Sequence, residues 1–124
     1  MNINLINPLV LAYIGDAVYE VRVRKMLVYK KINKVNDLQK ESIKYVSAKG
    51  QAVFINKLLE CNKLNELEID VYKRGRNSKV NSHPSNTDII TYKQATGFEA
   101  VIGYLYLTDN ISRIDEILKF VLED

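Results

Sequence analysis

Two stretches of this chain are strongly apolar at helical spacing, and each has an acid lodged inside it. In the first, Leu9, Val10, Tyr13, Ile14, Ala17, Val18, Val21 and Val23 recur around Asp16. In the second, Ile89, Ile90, Tyr92, Ala95, Phe98, Val101, Ile102 and Leu105 recur around Glu99. Runs of this kind need long helices to bury them. The chain has 5 Gly and 2 Pro in 124 residues, about half the usual share of roughly 12%. That is too few for a turn-rich sandwich or barrel, so an all-α fold is expected, as a single domain over 1–124.

Local signals divide the chain. Pro8 suits a first helical turn and Asn7 its cap, which predicts a helix over 8–29. Asn36, with Gln39 as capping-box partner, is expected to open a second helix with Leu38, Ile43, Tyr45 and Val46 on its face. Ser47 starts a third, carrying Ala52, Val53, Ile55, Leu58 and Leu59. A fourth covers 64–77 with Leu64, Leu67, Val71 and Tyr72 inward. Residues 79–87 read as a loop. A long helix follows over 88–108, and after Asp109-Asn110 a short one buries Ile114, Ile117, Leu118 and Val121.

The net charge is only +3, but it is segregated. Residues 21–57 hold ten basic and two acidic side chains, and 72–93 are again basic, with acidic stretches between and after. This is the footprint of a polyanion binder, or simply of lysine-rich solvated helices. No run approaches the roughly 18 apolar residues of a membrane span. No basic region precedes the short apolar stretch after Pro8, so a signal peptide is not expected. The single cysteine, Cys61, has no internal partner and is read as a small apolar residue. A cytoplasmic protein with no membrane association is the expectation.

Asp16 and Glu99 do not fit a simple core. Burying a lone carboxylate costs several kcal/mol unless it is paired or coordinates a metal. Each also has glycine close by: Gly15 before Asp16, and Gly97 and Gly103 around Glu99. Glycine inside a helix costs about 1 kcal/mol against alanine. A plausible return is close backbone approach, which would bring the two acids together. The plainer reading is that each acid caps, pairs with a lysine or faces water.

These residues resemble a known family. The segment Leu11-Ala12-Tyr13-Ile14-Gly15-Asp16-Ala17-Val18-Tyr19-Glu20 is similar to the signature helix of the ribonuclease III domain. Phe98-Glu99-Ala100-Val101-Ile102-Gly103 is similar to that domain's second catalytic segment. With Lys73-Arg74-Gly75-Arg76-Asn77 and the run from Ala95 to Ala100, the resemblance is to Mini-ribonuclease III, the compact bacterial branch without an appended double-stranded-RNA-binding domain. It extends from about residue 4 to 122, and the sequence given leaves no room for such a domain. The resemblance implies a ribonuclease III-like helical bundle, a homodimer with the first helix in its interface, a divalent metal (Mg²⁺, with Mn²⁺ able to substitute) and double-stranded RNA as substrate. It further implies a place in maturation of the 23S ribosomal RNA precursor. It carries the catalytic, metal-binding acids onto Asp16 and Glu99. Two further acids of the wider ribonuclease III pattern are absent: Ala12 and Thr96 stand in their places, as in Mini-ribonuclease III.

The chemistry is consistent with so few ligands. Mg²⁺ keeps several waters and typically takes one or two carboxylates plus substrate phosphates. Glu20, one turn after Asp16, is read as the partner of Arg24 in preference to an outer acceptor in the metal site. Candidate RNA contacts are Lys73, Arg74, Arg76, Asn77 and Lys79, with Lys93 secondary; these cations equally answer a helix C-terminal dipole. Lys44 and Lys49 are further secondary candidates. His83, the only histidine, is read as incidental. The tyrosines at 13, 92, 104 and 106 are read as packing residues. A non-catalytic RNA- or ribosome-binding module on the same fold, or a helical dimer acting through protein partners, are the competing functions.

Overall fold

A computed structural model describes residues 2–79 and 87–122. After a 3₁₀ turn at Ile3–Leu5 come six helices: α1 (Pro8–Tyr29), α2 (Val35–Val46), α3 (Ala48–Glu60), α4 (Glu66–Arg76), α5 (Ile89–Leu107) and α6 (Ile111–Leu122). The all-α expectation holds among the described residues. The loop expected at 79–87 lies almost wholly outside them.

The caps explain most boundaries. Asn7 Oδ1 accepts from the Leu9 amide at 2.9 Å and Pro8 takes the first helical position, so α1 matches the predicted span. Ser47 Oγ accepts from the Gly50 amide at 3.1 Å and opens α3. Asn65 and Glu68 form a reciprocal capping box at the start of α4. Asp88 caps α5 through the Thr91 amide and hydroxyl. The expectation for α2 was wrong. Its N-cap is Lys34, with no side-chain cap, and Asn36 lies inside the first turn. Burial on α2 is also thinner than expected, since Ile43 is 61% exposed. On α4, Leu67 likewise points outward.

α5 is the central strut. It packs against α1, α3, α4 and α6, while α2 bridges α1 and α3. Phe98, Ala100, Val101, Ile102 and Leu105 are buried on it. The Tyr19 ring of α1 meets Phe98 edge-on, with centroids 5.1 Å apart, and its hydroxyl donates to the Tyr45 carbonyl at 2.8 Å. This buried environment and the nearby Tyr45 raise the Tyr19 pKa. One polar group is buried away from this centre. Glu68 is almost fully enclosed and takes a two-pronged contact from Arg113 of α6, at 2.7 and 2.8 Å. Burial pushes its pKa up, but the Arg113 contact and the cap bond at Asn65 outweigh this and hold it below the ordinary range.

The inward stripe of α1 differs from the one expected. Leu11, Ala12, Gly15, Tyr19, Val23 and Leu27 are buried, whereas Val10 is 53%, Tyr13 82% and Val21 63% exposed. The helix is apolar on both sides, so periodicity alone could not choose between its faces.

Two glycines set the distance between α1 and α5. A Cβ on Gly15 would overlap the Glu99 carbonyl oxygen, and one on Gly103 would overlap the Leu11 carbonyl oxygen. Backbone meets backbone here, so neither side chain could be accommodated by a rotamer change. Gly15→Ala and Gly103→Ala are each expected to lower stability by about 2–3 kcal/mol in urea titrations, despite alanine's better helix propensity. Unchanged or higher stability would contradict the close crossing.

Candidate active site

The crossing of α1 over α5 places residue 16 beside residue 99. With Gly15 seated on the Glu99 backbone, the Asp16 and Glu99 side chains are brought close enough for Asp16 to act on the Glu99 carboxyl. The two acids, distant in sequence, therefore meet. The premise of two buried acids holds only for one of them. Asp16 is exposed, while Glu99 is half-buried beneath it. Burial, then the hydrogen bond and negative charge of Asp16, push the Glu99 pKa up to about 8, and a hydrogen bond from Gln51 works in the opposite direction. Gly97, expected to serve the same approach, serves another: a Cβ there would strike the Tyr72 ring of α4, and Gly75 packs on the Gly97 backbone in return.

Gln51 of α3 completes the floor of the site and was missed from sequence. It is 2% exposed. Its Nε2 donates to the Val46 carbonyl at 3.1 Å and lies 3.5 Å from Glu99 Oε2. Its Oε1 is buried and has no hydrogen-bond partner among the described residues. The signal was present in the sequence, because residue 51 falls four before Ile55 and seven before Leu58 on the inward stripe of α3.

The donor set is all oxygen and short of positive charge. Two carboxyl groups lie close together, and burial with the nearby Asp16 raises the pKa of Glu99. A buried amide oxygen nearby is unpaired. Hard oxygen donors in excess of local cations fit a small divalent cation. Among the described residues, no group of three His, Cys, Asp or Glu forms a metal cluster, so the site would offer the pair alone. Glu20 is engaged with Arg24 at 2.9 Å, as expected, and Arg22 pairs with Asp115 of α6.

The basic candidates gather elsewhere. Lys73, Arg74 and Arg76 form the last turn of α4 and Asn77 is its C-cap. Arg74 donates to the Asn4 carbonyl at 3.3 Å, and Arg76 lies over the Tyr72 ring and donates to Asn77 Oδ1. Lys73 and Lys79 are exposed and Lys93 is half-buried on α5. This end of α4 packs on α5 through Gly97 and Ala100, residues other than those that meet α1 at the carboxylates. His83 lies outside the described residues. Tyr104 is buried, but Tyr13 and Tyr106 are exposed, and Cys61 is exposed at the end of α3. No helix is long and apolar enough to cross a membrane among the described residues.

Comparison with known proteins places the family and the fold. The ribonuclease III domain pattern matches residues 9–110. The chain is 44% identical to Mini-ribonuclease 3 of Streptococcus pneumoniae, over 99% of this chain and 96% of that one. It is 51% identical to Mini-ribonuclease 3 of Clostridium tetani, covering 94% and 76% of the two chains. A crystal structure of a Fusobacterium nucleatum protein, 32% identical, superposes with a TM-score of 0.84 over 94% of this chain and 92% of that one. The chain thus belongs to the ribonuclease III family, among the Mini-ribonuclease 3 proteins, and is a ribonuclease III-type endoribonuclease.

Proposed function

We propose that Asp16 and Glu99 are the catalytic, metal-holding pair of this endoribonuclease, and that it hydrolyses phosphodiester bonds in double-stranded RNA with Mg²⁺ or, in its place, Mn²⁺. The observation that carries this is the meeting of the two carboxylates at a crossing where glycines leave backbone against backbone. Asp16, exposed, faces the side from which RNA arrives, and Glu99 supports the same spot from below. A bound divalent cation supplies Lewis acidity, lowering the pKa of the attacking water and offsetting charge on the leaving oxygen. The protein's part is to hold two anionic oxygens at a fixed separation.

Duplex RNA presents phosphates and 2′-hydroxyls across a wide minor groove and is read by shape. Lys73 and Lys79 offer exposed ammonium groups to phosphates, beside the Asn77 amide; Arg74, Arg76 and Lys93 extend the same basic region. A homodimer suits a substrate with two strands, because an isologous pair places two equal sites across its axis. The second apolar face of α1, with Val10, Tyr13 and Val21 exposed, supports that assembly. Maturation of precursor 23S ribosomal RNA in the cytoplasm is the cellular role that the likeness to Mini-ribonuclease 3 supports.

Without a cation the site destabilises the fold as pH rises. Glu99 has a folded pKa of about 8 against an ordinary 4.5. Its contribution is therefore fully present below pH 4.5 and is lost on the way to pH 8, by about 1.4 kcal/mol for each unit. Metal-free Glu99→Gln protein is expected to lose this slope and to melt higher than wild type at pH 8, but not at pH 4.5. Equal pH profiles for the two proteins would show that Glu99 is not under this strain.

Two further outcomes test the reading. Asp16→Asn and Glu99→Gln should each cut cleavage of duplex RNA with Mg²⁺ by at least about 100-fold, more than outer-shell changes typically cost, while gel-shift binding in chelator persists. Cleavage at the wild-type rate by either variant sinks the assignment. Neutralising Lys73 or Lys79 should reduce the salt slope of duplex binding by roughly one unit each. An unaltered slope would assign them to the helix dipole instead.

A further inference from the structure

Gln51 is a buried polar residue whose contact with the fold, a bond to the Val46 carbonyl, uses only one end of its amide. A leucine or methionine of similar length would fill the same space in α3 without leaving an amide oxygen unpaired, which is costly in a core. What distinguishes the amide is its two N–H groups. One is taken by the Val46 carbonyl at the end of α2, 3.1 Å away, and the amide faces Glu99 Oε2 at 3.5 Å. With an acceptor on each side, the NH₂ end is fixed toward both and Oε1 is left without a donor. Val46 adjoins Tyr45, whose carbonyl accepts the Tyr19 hydroxyl of α1. The end of α2 is thus tied to α1 by one bond and, through Gln51, reaches Glu99 of α5.

We propose that Gln51 is the positioning residue for Glu99: anchored on the Val46 carbonyl, its amide holds one carboxylate oxygen from the core side, so that the other is presented toward Asp16 and the cation they share. This rests on the reading of Asp16 and Glu99 as the metal-holding pair. Gln51 touches neither RNA nor the reacting atoms; it acts through the orientation of Glu99.

The test is a Mn²⁺ titration of the metal-free full-length protein, following free Mn²⁺ by electron paramagnetic resonance, alongside thermal melts. Gln51→Met should weaken Mn²⁺ binding roughly tenfold, the lower end of the usual effect of a partner behind a metal ligand. Its metal-free melting temperature should stay close to wild type, since the unpaired Oε1 is removed while the Val46 carbonyl loses its donor. The Mg²⁺ concentration for half-maximal cleavage should rise by the same factor, with the rate at saturating Mg²⁺ and duplex binding in chelator unchanged. Wild-type Mn²⁺ affinity in folded Gln51→Met overturns the proposal, as does a lowered melting temperature with unchanged affinity, which would make Gln51 a packing residue. Should the Met variant fail to fold, Gln51→Asn, whose amide stops one methylene short, is judged by the same affinity. Asp16→Asn separates the two levels. If it abolishes Mn²⁺ binding while Gln51→Met does not weaken it, only the positioning role falls. If wild-type protein shows no Asp16-dependent Mn²⁺ binding, the carboxylate-pair reading falls and takes this one with it.

Discussion

Backbone contact between α1 and α5 is the constraint on which the rest depends. Gly15 rests on the Glu99 carbonyl and Gly103 on the Leu11 carbonyl. At that separation the side chains beside the contact have no choice of neighbour, and residue 16 must face residue 99. Any larger residue at either glycine would widen the crossing and part the carboxylates. Stability and the proposed chemistry therefore rest on the same few atoms. The fold accepts two glycines within long helices, at about 1 kcal/mol each against alanine, and places two like charges together.

The crossing also explains why so much of the site was legible in the sequence. Asp16 and Glu99 stood out because each interrupts an apolar run and each has glycine nearby. Helix boundaries followed where a cap was chemically explicit, as at Asn7 and Ser47, and failed at α2, where no side chain caps and Lys34 starts the helix. The faces of α1 were not legible, because apolar residues cover the helix all round and only packing against α5 selects Leu11, Gly15 and Tyr19. Asp16 was expected to be buried by its neighbours' character, yet its position on the rim leaves it exposed. Gln51 and Glu68 escaped notice for a common reason. Polar residues on an inward stripe look like errors in a pattern until the partner is known, here Glu99 for one and Arg113 for the other.

Two of the buried polar residues, Glu68 and Gln51, answer burial in different ways. Glu68 is fully compensated: Arg113 closes on both its oxygens and Asn65 ties it into a cap, so it lies in a finished part of the structure. Gln51 is only partly compensated, with a used N–H end and an unused oxygen. Glu68 closes a network of its own, whereas Gln51 reaches from the end of α2 across to Glu99 of α5.

The second glycine contact, between Gly75 of α4 and Gly97 of α5, has its own consequence. α5 is gripped by close backbone on two flanks, from α1 and from α4, and so has little freedom to slide or to turn about its axis. The setting of Glu99 beside Asp16 is therefore built into the free fold and waits on no rearrangement of α5.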